Sequence, residues 1–450
     1  MIKTLALSNV GPSEHLAIDF GDRLTVFTGD NGLGKSFVLD VAWWMLTKEW
    51  AGEMAMPSSF IAPEHGKYKA DESAIIGKFD SIVTEDTIQK YVFQRLGQVW
   101  NCMPTDTRGQ NGRNAPSDSI VVYMKYDGTV AMYDPVKAQA DAYARKLMQE
   151  RVHNYEQMQL SFSHNTTRIY SQSELWNGVQ KKRRQEFNGL ISDWGDWQRE
   201  DNFSYTCLKK GVRHLSPKNE PFSIGNLRRV KADDSRKFPT IKSEFGKETP
   251  LIYASAGIRK ILSLLYALTW AWSEHVELCE KYSMKPSGNI ILLIDEVEAH
   301  LHPQWQRSIL QSLESVMGNL LMGQNVSTQL ICTTHAPLVL ASLEPFFDEA
   351  EDVLYSFDLN RKKCEIELKK EEWIRRGSSA AWLTSPVFGL ETDSSEQRED
   401  AIKEAKLAVR NRVDEKEAQL VHRKLVMTLH QADPFWSFWR SRAEKRGWNL

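Results

Sequence analysis

Gly29-Asp30-Asn31-Gly32-Leu33-Gly34-Lys35-Ser36 and Ile290-Ile291-Leu292-Leu293-Ile294-Asp295-Glu296-Val297-Glu298 are the two stretches whose reading decides the fold. The first fits the phosphate-loop pattern G-x-x-x-x-G-K-[ST] in full. The second is an apolar run that ends in carboxylates, as expected of a buried strand delivering acids to a metal–nucleotide site. Together they predict an α/β P-loop head that binds ATP with Mg²⁺ and hydrolyses it.

The residues around each stretch agree with this. Leu24-Thr25-Val26-Phe27-Thr28 is β-branched and aromatic and reads as a strand, whereas residues 35–50 carry apolar side chains at helical spacing. Gly29, Gly32 and Gly34 let the backbone turn sharply and approach an anion without a Cβ in the way. The helix that follows offers free N–H groups and a positive dipole end. Asn31 completes the ATP-binding loop. Lys35 is expected to reach the β/γ-phosphates, and the Ser36 hydroxyl to hold Mg²⁺. Asp295 is the second expected metal ligand, and Glu296 the group that polarises the attacking water. Alone, a glycine-rich turn or a strand ending in Asp-Glu is often only structural. The two in one chain read as the halves of one site.

Composition narrows the class. Apolar residues are 41% and charged residues 26% of the 450, an ordinary balance for a globular chain with a large core. A net charge of −2 exerts no general pull toward nucleic acid or membrane. Cys102, Cys207, Cys279, Cys332 and Cys364 are scattered and odd in number, which argues for a cytoplasmic setting without disulfides or a zinc site. No apolar run approaches the roughly 18 residues of a bilayer span, so no membrane association is expected.

Two further stretches refine the reading. Tyr253-Ala254-Ser255-Ala256-Gly257-Ile258-Arg259-Lys260 opens a long apolar helical segment, and Gln329-Leu330-Ile331-Cys332-Thr333-Thr334-His335-Ala336-Pro337 reads as a strand ending in His335. With Ala299-His300-Leu301-His302-Pro303 after the acids, this order resembles the ATP-binding-cassette superfamily, and within it the SMC/RecF/OLD-like branch. The resemblance implies a mixed sheet flanked by helices, a large insertion and a helical C-terminal region. It implies that Ser255 and Gly257, a reduced form of the "LSGGQ" element, contact the γ-phosphate held by a second subunit. His335 would be a catalytic switch histidine on that phosphate. The family's metal-sensing Gln would be Gln94 or Gln98. His300 and His302 would lie in a dimer-interface loop rather than bind metal.

The expected organisation is a first head segment at 1–50, an insertion or accessory region of the head at 51–249, the rest of the head at 250–370 and a helical region at 371–450. Strands are expected at 91–96 and 119–126, and a hairpin from 353–357 and 364–369. The hairpin also accounts for Asp358 and Glu367-Leu368-Lys369, which loosely imitate a restriction-type nuclease. Residues 180–231 hold twelve Lys and Arg against six Asp and Glu, densest at Lys181-Lys182-Arg183-Arg184. With Trp176, Trp194 and Trp197 nearby, the stretch reads as a DNA or RNA contact, as a partner-protein surface, or as a solvated face with tryptophans packed inward. Residues 394–429 alternate acid and base as exposed helices do. The tail Asp433-Pro434-Phe435-Trp436-Ser437-Phe438-Trp439 either folds back or anchors a partner.

The blocks Ser173-Glu174-Leu175-Trp176-Asn177-Gly178, 254–260, 293–303 and Asp433-Pro434-Phe435-Trp436 resemble stand-alone bacterial AAA/ABC-type ATPases of anti-phage loci, the PtuA type of Septu and Septu-like retron systems. The resemblance implies a homodimer or higher homo-oligomer with a separate HNH nuclease (PtuB-like) governed by nucleotide state. OLD-type relatives carry a Toprim nuclease marked by an Asp-x-Asp pair. This sequence has none, so no nuclease site is expected in it. The alternative is a RecF-like repair ATPase acting on nucleic acid without a nuclease partner. A transporter subunit fits poorly, given the 200-residue interval between the motifs.

Overall fold

The apolar runs singled out above lie side by side. The computed structural model describes residues 1–58, 73–80, 87–94, 97–103, 117–151, 166–181, 184–217, 221–320, 326–361 and 365–449. The first strands are β1 (Ile2–Val10), β2 (Ser13–Asp19) and β3 (Leu24–Gly29), followed by helix α1 (Lys35–Thr47). Then come β4 (Ala74–Phe79), β5 (Thr87–Gln94), β6 (Val99–Met103), β7 (Ile120–Met124), β8 (Val130–Tyr133) and β9 (Thr167–Tyr170). Helices α2 (Leu190–Glu200), α3 (Phe203–Leu215) and α4 (Ala256–Tyr282) lead to β10 (Asn289–Ile294), β11 (Ser327–Thr333), β12 (Asp352–Asn360) and β13 (Glu365–Glu371). The chain closes with α5 (Glu396–Asn411), α6 (Glu415–Thr428) and α7 (Phe435–Arg446).

Eight strands form the large sheet in the order β13-β12-β3-β11-β10-β7-β8-β9, and five form a smaller one in the order β2-β1-β4-β5-β6. The centre of the large sheet, β12 to β7, is parallel, with antiparallel strands at both flanks. Every residue of β7 and β10 is buried, which is why these strands read as unbroken apolar runs rather than alternating ones. Helix α1 packs against β7, β10 and β11 of the large sheet and β1 of the small one, joining both sheets in one core. The buried Gln329 amide locks the N-terminal strand to that core by donating to the carbonyls of Ile2 (2.9 Å) and Gly21 (2.8 Å).

Several expectations change. The 51–249 interval, expected as an insertion or accessory region of the head, supplies β7, β8 and β9 to the large sheet and β4 to β6 to the small one. Lys182 and Arg183 of the basic cluster lie outside the described residues. Of the two readings of the nearby tryptophans, inward packing is the one that Trp176 and Trp194 follow. Trp194 is fully buried, Trp176 is buried and donates to Ser263 Oγ (2.7 Å), and Trp197 lies against Tyr266 with ring centroids 5.6 Å apart. The rings there serve the packing around α4, because their apolar area is worth more inside than in water.

The hairpin of β12 and β13 forms as expected, pairing Leu359 with Ile366 and Asp358 with Glu367; its turn at 362–364 is outside the described residues. Contacts divide the chain into compact units Met1–Gly377 and Ser378–Leu450. The division falls after 371 because Glu344 accepts the N–H groups of Arg376 (2.7 Å) and Gly377 (3.0 Å), holding them to the first unit. Within the second unit, α5 and α6 start at N-caps Ser395 and Asp414. The aromatic tail folds back as α7: Trp439 is fully buried and donates to His422 Nδ1 (3.1 Å), and Trp436 donates to the His430 carbonyl (2.9 Å). Among the described residues no helix is long and apolar enough to cross a membrane.

Candidate nucleotide site

The parallel strands all deliver their carboxyl ends to one edge, where open α/β sheets bind ligands. There β3 passes through Gly29 (φ 125°) into the loop, and Gly34 (φ 96°) caps α1. Neither position tolerates a side chain. A Cβ on Gly29 would lie 2.3 Å from the Phe357 carbonyl oxygen, and one on Gly34 would lie 2.5 Å from Pro12 Cγ. Gly32 (φ 78°) has nothing within 4 Å of its Cβ position, so this part of the loop is open to an approaching group. Asn31 is exposed beside it, and Ser36 sits in the first turn of α1.

The Lys35 ammonium curls back to donate to the carbonyls of Gly29 (2.9 Å) and Asp30 (2.5 Å). Burial pushes its pKa down to about 8, against the opposing pull of Asp295, Asp30 and Glu296. The lysine is thus held at the loop, between acids, with its charge incompletely compensated.

Asp295 follows the end of β10 and is buried. Thr333, at the end of the neighbouring β11, donates its hydroxyl to Asp295 Oδ1 (2.7 Å) and accepts the Glu296 N–H (2.7 Å). The other carboxylate oxygen, Oδ2, is buried with no hydrogen-bond partner among the described residues. Such a group costs about 1–3 kcal/mol unless something pairs with it. A hydroxyl and a carboxylate oxygen are the donors a hard cation takes, so Ser36 and Asp295 fit Mg²⁺. Glu296 adopts φ 48°, and its Oε1 stands 3.9 Å from His335 Nε2. Glu298 accepts the His335 N–H. Lys35, Asp295, Glu296 and His335 therefore converge at one edge.

Ser255 and Gly257 occupy a different place. Ser255 is exposed at the start of α4, where its Oγ caps the helix by accepting the Ile258 N–H (3.4 Å). A Cβ on Gly257 would lie 2.7 Å from the His300 carbonyl oxygen, so glycine is needed for α4 to pack on the loop after the acids. Among the described residues no hydrogen bond or ion pair joins either one to Lys35, Asp295 or Glu296. His302 caps the short helix Pro303–Gln306 through Nδ1. No cluster of three metal-ligating side chains occurs among the described residues.

Gln94 ends β5, paired with Val99, and Gln98 lies in the turn before β6; both belong to the small sheet. The strand flanking β10 is β7, and the Asp295 N–H donates to the Met124 carbonyl (2.9 Å). The residue delivered beside Asp295 is therefore Lys125, whose ammonium lies 3.2 Å from Asp40 Oδ1, one turn beyond Ser36 on α1. Burial raises the Asp40 pKa and the charge of Lys125 opposes that rise. Sequence reasoning also missed Thr333 and Glu298. Thr333 closes an apolar strand as a polar residue, which was a readable signal, but its pairing with the acid strand was not.

Comparison with known proteins places this geometry. Residues 160–341 match the family described as "AAA domain, putative AbiEii toxin, Type IV TA system". The Septu protein PtuA of Bacillus thuringiensis is 21% identical over 443 residues, 96% of this chain and 95% of that protein. The "Retron Vc95 probable ATPase" of Vibrio cholerae serotype O1 biovar El Tor is 44% identical over 57 residues, 13% of this chain and 10% of that protein. Among solved structures, the SMC head domain from Thermotoga maritima is matched at a TM-score of 0.41 with 15% identity, covering 83% of this chain and 99% of that one. The chain is thus similar over nearly its whole length to the Septu protein PtuA, and its residues 160–341 match the AAA-domain family model.

Proposed function

We propose that this protein is the ATP-hydrolysing subunit of an anti-phage defence complex of Septu or retron kind, governing a separate HNH-type nuclease through its nucleotide state. The observation that carries the ATPase reading is the meeting of Lys35, Asp295, Glu296 and His335 at the carboxyl ends of β3, β10 and β11. The similarity to PtuA along 96% of the chain supports the defence setting.

In this reading the loop from Gly29 to Ser36 wraps the triphosphate, and Lys35 exchanges its two carbonyl partners for the β/γ-phosphate oxygens. Ser36 and Asp295 would hold Mg²⁺, which when bound would supply neutralisation of the phosphate charge. Glu296 orients and deprotonates the attacking water, while His335 steadies the γ-phosphate from the next strand. Ser255, exposed at the start of α4, reaches the triphosphate of a second copy, with Gly257 permitting the close approach. Two chains then enclose two nucleotides.

Size measurement of Glu296→Gln with and without Mg·ATP tests the arrangement. A nucleotide-dependent rise to twice the mass or more is expected, and Ser255→Arg should abolish it. A mass indifferent to ATP rejects the shared site. For the complex, the protein is purified with chains encoded beside its gene. Nucleic-acid cleavage that varies between ATP, ADP and a non-hydrolysable analogue is expected; cleavage blind to the nucleotide rejects control by this subunit.

A further inference from the structure

Lys260 has no assigned role, and its placement is unusual. It stands five residues after Ser255 on α4 and is 7% exposed. Its ammonium donates a 2.6 Å bond to the main-chain carbonyl of Glu296. Burial pushes its pKa down to about 8, while Glu298, Glu296 and Asp295 pull it back up. If that position needed only to pack, an apolar residue would do so without desolvating a cation. The cost points to the bond itself.

The bond's target is a strained peptide. Glu296 sits at φ 48°, a left-handed conformation that a residue with a Cβ adopts only when its surroundings enforce it. Two side chains from different elements hold its two main-chain groups. Thr333 Oγ1 of β11 receives its N–H (2.7 Å), and Lys260 of α4 donates to its carbonyl, which also accepts the Ala299 N–H (2.9 Å). The Glu296 side chain departs from the middle of this clamp toward His335.

We infer that Lys260 is a positioning residue whose bond to the Glu296 carbonyl fixes the left-handed main chain from which that carboxylate works, tying it to the helix that begins at Ser255. The inference rests on the reading of Glu296 as the group that activates water. It gives α4 a mechanical task, since any ligand that shifts the Ser255–Gly257 turn acts through Lys260 on the acid.

The test compares Lys260→Met, Lys260→Arg and Glu296→Gln, singly and combined, by hydrogen exchange of the nucleotide-free protein, binding of a fluorescent ATP analogue, and turnover. K260M is expected to speed exchange in residues 296–301 about tenfold and to lower kcat about tenfold or more, with affinity kept within about twofold. K260R should restore both to within about threefold. In the E296Q background K260M should change turnover no further, because the group it positions is gone. Unchanged exchange, wild-type turnover, affinity falling in step with kcat, or a full K260M penalty on top of E296Q would each overturn the inference. If K260M does not fold, K260Q carries the same comparison, and wild-type exchange and turnover in it overturn the proposal. E296Q alone reports on Glu296, so wild-type turnover there rejects the reading of Glu296 and leaves the exchange result to judge the clamp.

Discussion

At the carboxyl edge of the large sheet, Asp295 is buried with one unpartnered oxygen, Lys35 and Lys260 are buried cations, and Glu296 and His300 hold positive φ. The described residues of 378–450 hold one such non-glycine position, Arg412 (φ 56°), and are built mainly from locally paired groups. Ser395 and Asp414 cap their helices, Trp436 and Trp439 pack inward with their N–H groups bonded, and Lys424 pairs with Glu404 on the surface (2.6 Å). The first region stores cost where a charged ligand can relieve it; the second spends its residues on holding three helices together. Local consistency marks a part built for stability, and its violation marks the part built to bind.

Mutations can break this contrast. Lys35→Ala should have the largest effect, lowering nucleotide affinity by roughly a thousandfold, since it removes the loop's charge-assisted donor; calorimetry showing retained affinity would count against the site. Trp439→Ala should destabilise the helical unit by about 3–5 kcal/mol through loss of a fully buried ring. Its denaturant midpoint should fall while nucleotide binding by the head stays unchanged. Glu296→Gln should lower turnover about a hundredfold with binding retained, the range for a general base. Asp295→Asn should lose Mg·ATP binding, because the carboxylate that would hold the cation is gone, which calorimetry with Mg·ATP checks.

The smallest effect concerns pH. With Lys35 at about 8 in the free protein, a bound triphosphate favours the protonated form and raises that value. Affinity should therefore be complete below about pH 8 and fall as pH rises above it. Calorimetry near pH 8 in buffers of different ionisation heats should register proton uptake on binding.

Much of this was legible in the chain alone. The phosphate loop is contiguous, and its chemistry follows from local spacing: glycines where φ must be positive, a lysine and a hydroxyl at the helix start. The runs that became β3, β10 and β11 announced their burial by lacking alternation. The hairpin of β12 and β13 could be read from two strand-forming runs around a short polar turn.

What the tertiary structure alone decided is adjacency. No local pattern says that β7 lies beside β10, so Lys125 rather than Gln94 or Gln98 comes to stand next to Asp295. Nor does one say that Thr333 bridges Asp295 and Glu296, that Lys260 reaches the Glu296 carbonyl, or that Trp176 and Trp194 turn inward. Turns, helix starts and burial are set by interactions within a few residues of each other. Sheet order and side-chain pairing are set by which distant surfaces bury each other best, a choice made only when the whole chain is folded.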